Sequence, residues 1–340
     1  MSADVKREAR SAERAAAVRS GFDHHRLDWT DALPWACIVL WYAVAPGYLA
    51  LGTQVILMII FAVSLDLALG YGGIETLGHA ALFGVGAYAA GLYALHVSPE
   101  PISGLVVAAI CAAIAALVTG ALILRARGLT LVMLTLAVAT LIAELASTWK
   151  SVTGGDDGLH GYKISAIFGI FDFDFAGRTA YWYSAGALAV VFLLARWVVN
   201  SPFGLTVRGI RDNPVRMRVM GISVTWRLAM LYAISGAIAG IAGGLTAQVT
   251  KLVGLEVLGL ALSANVLIML VLGGTGRLYG AFVGAAVFVI LSDRAAAVNP
   301  FHWLFALGLV LILTVRFAPR GLLGAAESAI SRLMRRKGSA

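Results

Sequence analysis

Residues 102–124 read ISGLVVAAICAAIAALVTGALIL, without one charged side chain. Wound as an α-helix rising about 1.5 Å per residue, such a stretch crosses a hydrocarbon layer of about 30 Å. Ten candidate spans follow along the chain, at about 33–51, 52–70, 77–96, 102–124, 128–149, 181–199, 227–248, 256–272, 278–292 and 301–317. Of the 340 residues, 60% are apolar and 13% charged, against about 45–50% and about 25% in soluble domains. That excess exceeds what a soluble core can hide. The 38 glycines sit inside apolar runs beside many alanines, as close helix contact in lipid requires. The sequence therefore predicts an all-α fold, a polytopic transmembrane helical bundle of about ten spans acting as one unit.

Charge gives the bundle a direction. With the N-terminus in the cytoplasm and every span crossing once, 21 of the 26 Lys and Arg fall on the inner side. The outer side keeps only Lys150, Lys163, Arg178, Lys251 and Arg294. This positive-inside bias predicts an even number of spans and both termini cytoplasmic. Residues 1–32 are polar and basic without an apolar stretch, so they read as a cytoplasmic N-terminal arm and not a cleaved signal peptide. Residues 33–324 form the membrane domain, and 325–340 a basic cytoplasmic tail. The net charge of +8 is dispersed at span ends without aromatic interleaving, which excludes nucleic acid and leaves membrane lipid as the neighbour. Cys37 and Cys111 lie in apolar stretches and imply neither a disulfide framework nor a metal site.

Two loops are long. The outer one, about 150–180, holds Thr153-Gly154-Gly155-Asp156-Asp157-Gly158-Leu159 and the alternating Phe171-Asp172-Phe173-Asp174-Phe175, a pattern for a small hairpin. The cytoplasmic one, about 200–226, contains Arg211-Asp212-Asn213-Pro214-Val215-Arg216-Met217-Arg218-Val219-Met220-Gly221. Asp212 or Asn213 can cap a helix there, Pro214 suits its first turn and Gly221 its end. The result is an amphipathic helix of about two turns outside the bilayer.

Ser64 to Ala80 places Asp66, Glu75 and His79 among apolar residues and glycines. Ionisable groups at membrane depth are costly and mark solute paths unless they sit in a water-exposed turn, and both readings stand for Glu75. The glycines can break the helix, leaving Thr76 to cap a new one whose dipole faces an anionic solute group. Glu144, near the outer end of its span, either snorkels, pairs or acts on the solute. Gly84 to Ala89 loosely matches a dinucleotide fingerprint but follows no strand, so it reads as helix packing, as do Gly236 to Gly240 and Gly280 to Gly284. Gly273-Gly274-Thr275-Gly276 echoes Gly72-Gly73 only loosely. No Gly-Lys dipeptide exists, so no phosphate loop is present and any driving ATP is bound by another chain. Nothing points to catalysis, a cofactor or a bound metal.

Leu69 to Gly73 with Thr76 to Tyr88, then Thr153 to Leu159, Arg211 to Gly221, Leu272 to Gly276 and Phe317 to Leu322, resemble in order the motifs of branched-chain amino-acid ABC transporter permeases of the LivH/LivM type. The resemblance covers about residues 50–324. It implies the permease subunit of a binding-protein-dependent importer in a bacterial-type cytoplasmic membrane. A second homologous permease, two cytoplasmic ATPase subunits and an extracytoplasmic solute-binding protein are the implied partners. By this resemblance Arg211, Asp212, Asn213, Pro214, Arg216, Arg218 and Gly221 belong to the segment that docks on the ATPase. Asp66, Glu75, Thr76 and His79 are the expected solute-path residues. Glu75 stands where the family carries a neutral polar residue, which bears on the solute; urea- or amide-type permeases are the near alternative. An ion-coupled secondary transporter using Asp66, Glu75 and Glu144 is the alternative mechanism, and it needs no coupling loop.

Overall fold

A computed structural model describes residues 33–167, 171, 177–299, 302, 305, 308–310, 312, 314, 316 and 321–324. Two compact units divide the chain, 1–40 and 41–340. The first is described only from Leu33, where helix α1 (Leu33–Val44) begins. Pro46 and Gly47 interrupt the chain after α1, because proline cannot continue a helix but can start one. The next helical run therefore starts at Pro46, earlier than the expected boundary at 51–52.

That run contains α2 (Leu49–Leu65) and widens into a π-helical stretch, Asp66–Tyr71. There follow α3 (His79–His96), α4 (Pro101–Ile123), α5 (Leu129–Thr148), α6 (Arg178–Asn200), α7 (Pro202–Asp212), α8 (Pro214–Val219), α9 (Val224–Thr250), α10 (Leu260–Gly273) and α11 (Leu278–Val298). Among the described residues six helical runs are long and apolar enough to cross a membrane: Pro46–Tyr71, α4, α5, α6, α9 and α11. Helices α1 and α10 are apolar but shorter. The protein is an all-α, multi-pass membrane bundle. The expected span 301–317 lies mostly outside the described residues, as do the arm and the tail.

Helix α9 is the centre, packed on α3, α4 and α2. Its Gly236, Gly240 and Gly244 meet Ala116, Ala112 and Ala108 of α4 in antiparallel register, each too close to accept a Cβ without displacement. Gly86 of α3 fits against Gly240 in the same way. These small residues replace hydrophobic drive with dispersion contact, the term that remains between helices in lipid.

One end of the bundle is closed by backbone pairing. β1 (Leu159–His160) pairs antiparallel with β2 (Leu252–Val253), with Leu159 opposite Val253. The strand at 159–160 thus pairs across to the segment after α9, not within its own loop. Gly158, at φ 72° and against the Val253 carbonyl, makes that approach possible. Tyr162 Oη donates to the Ala247 carbonyl at 2.8 Å. Of the expected alternating segment, Phe171 bridges Ile167, while residues 172–175 lie outside the described set.

Candidate functional site

At the opposite end, two glycine turns and α7 meet. The chain leaving α2 turns at Gly72 and Gly73, the latter at φ 67°. The turn from α10 to α11 passes Gly274 and Gly276, at φ 110° and 77°. The π-helical stretch brings the Asp66 side chain over Gly70, where a Cβ would collide with the carboxylate. Asp66 is fully buried, and its Oδ1 accepts the Gly276 N–H at 2.6 Å. A carboxylate withdrawn from solvent needs such a donor and a nearby cation.

The cation comes from α7. Ser201 caps this helix by accepting the Gly204 N–H at 3.2 Å, Pro202 fills its first turn, and Val207 and Ile210 bury one face. On the following turn Arg211 reaches inward, its Nη1 donating to the Gly70 carbonyl. Its stem lies against Gly73 and its guanidinium beside Gly276, close enough to Asp66 for Coulomb attraction. One turn earlier Arg208 covers the Tyr71 ring at 5.1 Å and donates to the Val199 carbonyl at 3.1 Å. An arginine expected at an ATPase contact and an acid expected on a solute path thus belong to one cluster.

Helix α8 follows at once. Asn213, and not Asp212, is its cap: the Asn213 side chain accepts the Arg216 N–H at 2.9 Å, while Asp212 ends α7. Pro214 opens the helix. Gly221, at φ 81°, ends it, with its N–H on the Arg218 carbonyl at 2.9 Å and the Ile222 N–H on Met217 at 3.1 Å. Met217 folds back on Gly209, joining α8 to α7. No residue of α8 is buried; Val215, Val219 and Met220 stand exposed beside Arg216 and Arg218.

The turn after Gly73 is pinned from its far side. Thr76 does not cap the next helix. Its hydroxyl accepts the Gly78 N–H at 3.2 Å, and Gly78 itself occupies the cap position of α3. The free N–H of Ala80 goes to Ser263 of α10 at 2.9 Å, and that of Leu77 to Thr135 of α5 at 3.2 Å. The helix start is thereby satisfied by hydroxyls, as orphan N–H groups require. His79 is fully buried, stacked on Phe61, with Nε2 at 3.0 Å from Ser64 Oγ and 3.5 Å from Ser235 Oγ. Glu75 and Glu144 are exposed.

The sequence reading missed Gly276, Ser263, Thr135, Ser64 and Ser235. The echo of Gly72-Gly73 in Gly273 to Gly276 was the usable signal, since the two turns do meet; lone hydroxyls inside apolar spans gave none.

A family model described as "Branched-chain amino acid transport system / permease component" matches residues 47–315. The chain is similar to the high-affinity branched-chain amino acid transport system permease protein LivM of Salmonella typhimurium, 28% identical over 314 residues, covering 84% of this chain and 72% of that protein. It is similar to the same-named protein of Escherichia coli, 26% identical over 309 residues with the same coverage. A probable LivM of Methanocaldococcus jannaschii is 24% identical over 315 residues, covering 78% of this chain and 89% of that protein. No solved structure matches the chain.

Proposed function

The chain belongs to the family of branched-chain amino acid transport permease components, and on that premise we propose how it moves a solute. It is the membrane-spanning subunit of an ABC importer. Ten spans with both termini cytoplasmic in a bacterial-type cytoplasmic membrane fit the charge bias, which puts 21 of 26 Lys and Arg on the side of the 72–78, 201–222 and 274–277 turns. A binding protein delivers the solute outside, a second homologous permease completes the path, and two ATPase subunits supply the energy. The chain itself makes and breaks no covalent bond. Branched-chain amino acids, or a related small polar solute, are the cargo.

The observation that carries the mechanism is Arg211 lodged on the Gly70 carbonyl beside Asp66 and Gly276. Helix α8 docks on the ATPase through Val215, Val219 and Met220, with Arg216 and Arg218 at the rim; an apolar centre inside a charged border is the usual anatomy of such a contact. Asn213, Pro214 and Gly221 set the shape of α8, and Asp212 closes α7 ahead of it. Displacement of α8 moves α7, and Arg211 carries that motion into the turn 70–78. Glu75, exposed on this turn, touches the solute path. Asp66, Thr76 and His79 hold the turn in place.

Reconstitution tests this directly. Purified chain, partner permease and ATPases in proteoliposomes should hydrolyse ATP faster when the loaded external binding protein is added, and the ligand that achieves this identifies the cargo. Hydrolysis indifferent to every loaded binding protein would reject the importer reading.

A further inference from the structure

We propose that the uncovered face of α5 is a wall of the solute path, and that Glu144 on it receives the cationic ammonium end of the solute. This rests on the permease reading and adds where the path runs. Of the six long spans α5 is the least covered. Leu131, Thr135, Ala139 and Ala146 bury one side of it. The opposite side presents Thr130, Met133, Ala137, Thr140, Glu144 and Thr148, all exposed. Spaced by three or four residues, they form one stripe along the whole helix.

The exposed faces of α4 and α6 are different in kind. Helix α4 shows Val106, Ile110, Ile114, Val118 and Leu122. Helix α6 shows Val190, Leu193 and Leu194 between Trp182 and Trp197, an apolar band with aromatic ends that suits lipid. On α5 itself, Ile142, Leu145 and Trp149 turn to an apolar groove of about 710 Å³ shared with α3 and α4. Threonines alone are tolerable in lipid, because a hydroxyl can return its proton to its own helix, as Thr140 does to the Ala137 carbonyl at 2.9 Å. A carboxylate has no such recourse. Glu144 makes no hydrogen bond or ion pair among the described residues, and an unpartnered acid in a span marks a path.

The buried side of α5 supplies an independent observation. Gly78 lies against the Thr135 carbonyl with no room for a Cβ, and the Leu77 N–H is held by the Thr135 hydroxyl. Motion of the 70–78 turn is therefore passed to α5, as a wall that opens and closes requires. Glu75 is exposed on that turn, two residues before the Leu77 that Thr135 holds. A carboxylate on this face attracts a small zwitterion by its ammonium group, most strongly where water is scarce.

The test places single cysteines in a Cys37→Ser, Cys111→Ala parent assembled with its partner permease, ATPases and external binding protein in proteoliposomes. Ala137→Cys, Thr140→Cys and Glu144→Cys should react with a charged methanethiosulfonate reagent at least about tenfold faster than Ile110→Cys and Ile114→Cys on α4, because lipid excludes the reagent. The transported solute should slow the α5 reactions. In a second arm, Glu144→Gln should raise the solute concentration for half-maximal uptake by about tenfold, with Glu144→Asp recovering part of the loss. ATP-dependent uptake by the parent together with equal rates on the two helices overturns the α5 wall alone, as does reaction that solute leaves unslowed. A half-maximal concentration unchanged in Glu144→Gln overturns the role of that carboxylate. A parent without ATP-dependent uptake rejects the permease reading and the wall with it.

Discussion

The two ends of the bundle are closed by different chemistry. At the 158–162 end, β1 and β2 exchange backbone hydrogen bonds and Tyr162 adds a buried hydroxyl contact to Ala247. Burial there pushes the Tyr162 phenol well above its ordinary range, so it remains a neutral donor. At the 70–78 end, one carboxylate and one guanidinium reach across glycine turns to backbone atoms. A backbone ladder distributes its hold over several weak bonds within one fixed geometry. A buried acid with a single cationic neighbour concentrates it. The first arrangement suits a lid over a static end; the second suits a joint, since moving α7 moves the charge that balances Asp66.

Removing the acid gives the sharpest contrast. Asp66→Ala leaves the Gly276 N–H without its acceptor and Arg211 without its counter-charge, and should destabilise the chain by about 3 kcal/mol. Asp66→Asn keeps the acceptor and should restore folding but not ATP-driven uptake. Thermal unfolding in detergent and uptake at matched expression separate the two effects. Wild-type uptake in Asp66→Asn breaks the distinction between the ends.

Next in size are substitutions on the segment holding α7 and α8. Arg211→Ala should keep the ATPases bound yet lower uptake by about tenfold, because docking and transmission reside on different helices. Arg216→Glu with Arg218→Glu should do the reverse and lower ATPase recovery on co-purification, with membrane insertion intact. If both variants lose ATPase binding equally, α7 and α8 form one docking surface and Arg211 transmits nothing.

Helix class and the short capped helix α8 were legible in the sequence because each rests on local signals: run length, and Asn213-Pro214 with Gly221. The joint was legible only in pieces. Asp66 stood out as a charge in an apolar run, and Arg211 as a basic loop residue, but their meeting depends on a contact across 145 positions of chain that no periodicity reports. The partner of β1 was hidden for the same reason. Leu159 and His160 pair with Leu252 and Val253, and nothing within residues 150–180 encodes that partner. The extra helix α7 was within reach: Ser201-Pro202 is a cap followed by a first-turn proline, with Val207 and Ile210 one turn apart.

A smaller effect is expected where the backbone lid is strained. Gly158→Ala forces an L residue into φ 72° and presses a methyl toward the Val253 carbonyl. It should cost about 1–3 kcal/mol of stability. Uptake per folded molecule should hold below the unfolding range. Coupled loss of uptake per folded molecule would make the β1–β2 lid part of the moving machinery.

The least effect belongs to Tyr162→Phe, and it discriminates most finely between lid and joint. The ring stays, so apolar burial is nearly unchanged, and only the hydrogen bond to the Ala247 carbonyl is lost. That carbonyl belongs to the last turn of α9, but the Lys251 N–H also bonds to it at 2.9 Å. It is therefore not left without a donor, and the cost is that of one neutral hydrogen bond, about 1 kcal/mol. The unfolding midpoint should fall by a few degrees at most, of the order that about 1 kcal/mol produces in a chain of this length. Half-maximal solute concentration and ATP turnover should match wild type. A change in ATP turnover would mean that α9, the helix on which α2, α3 and α4 all pack, carries the signal from joint to lid through its C-terminal turn; the outer end would then move with the inner one, and the separation of static lid from moving joint would fail at its weakest contact.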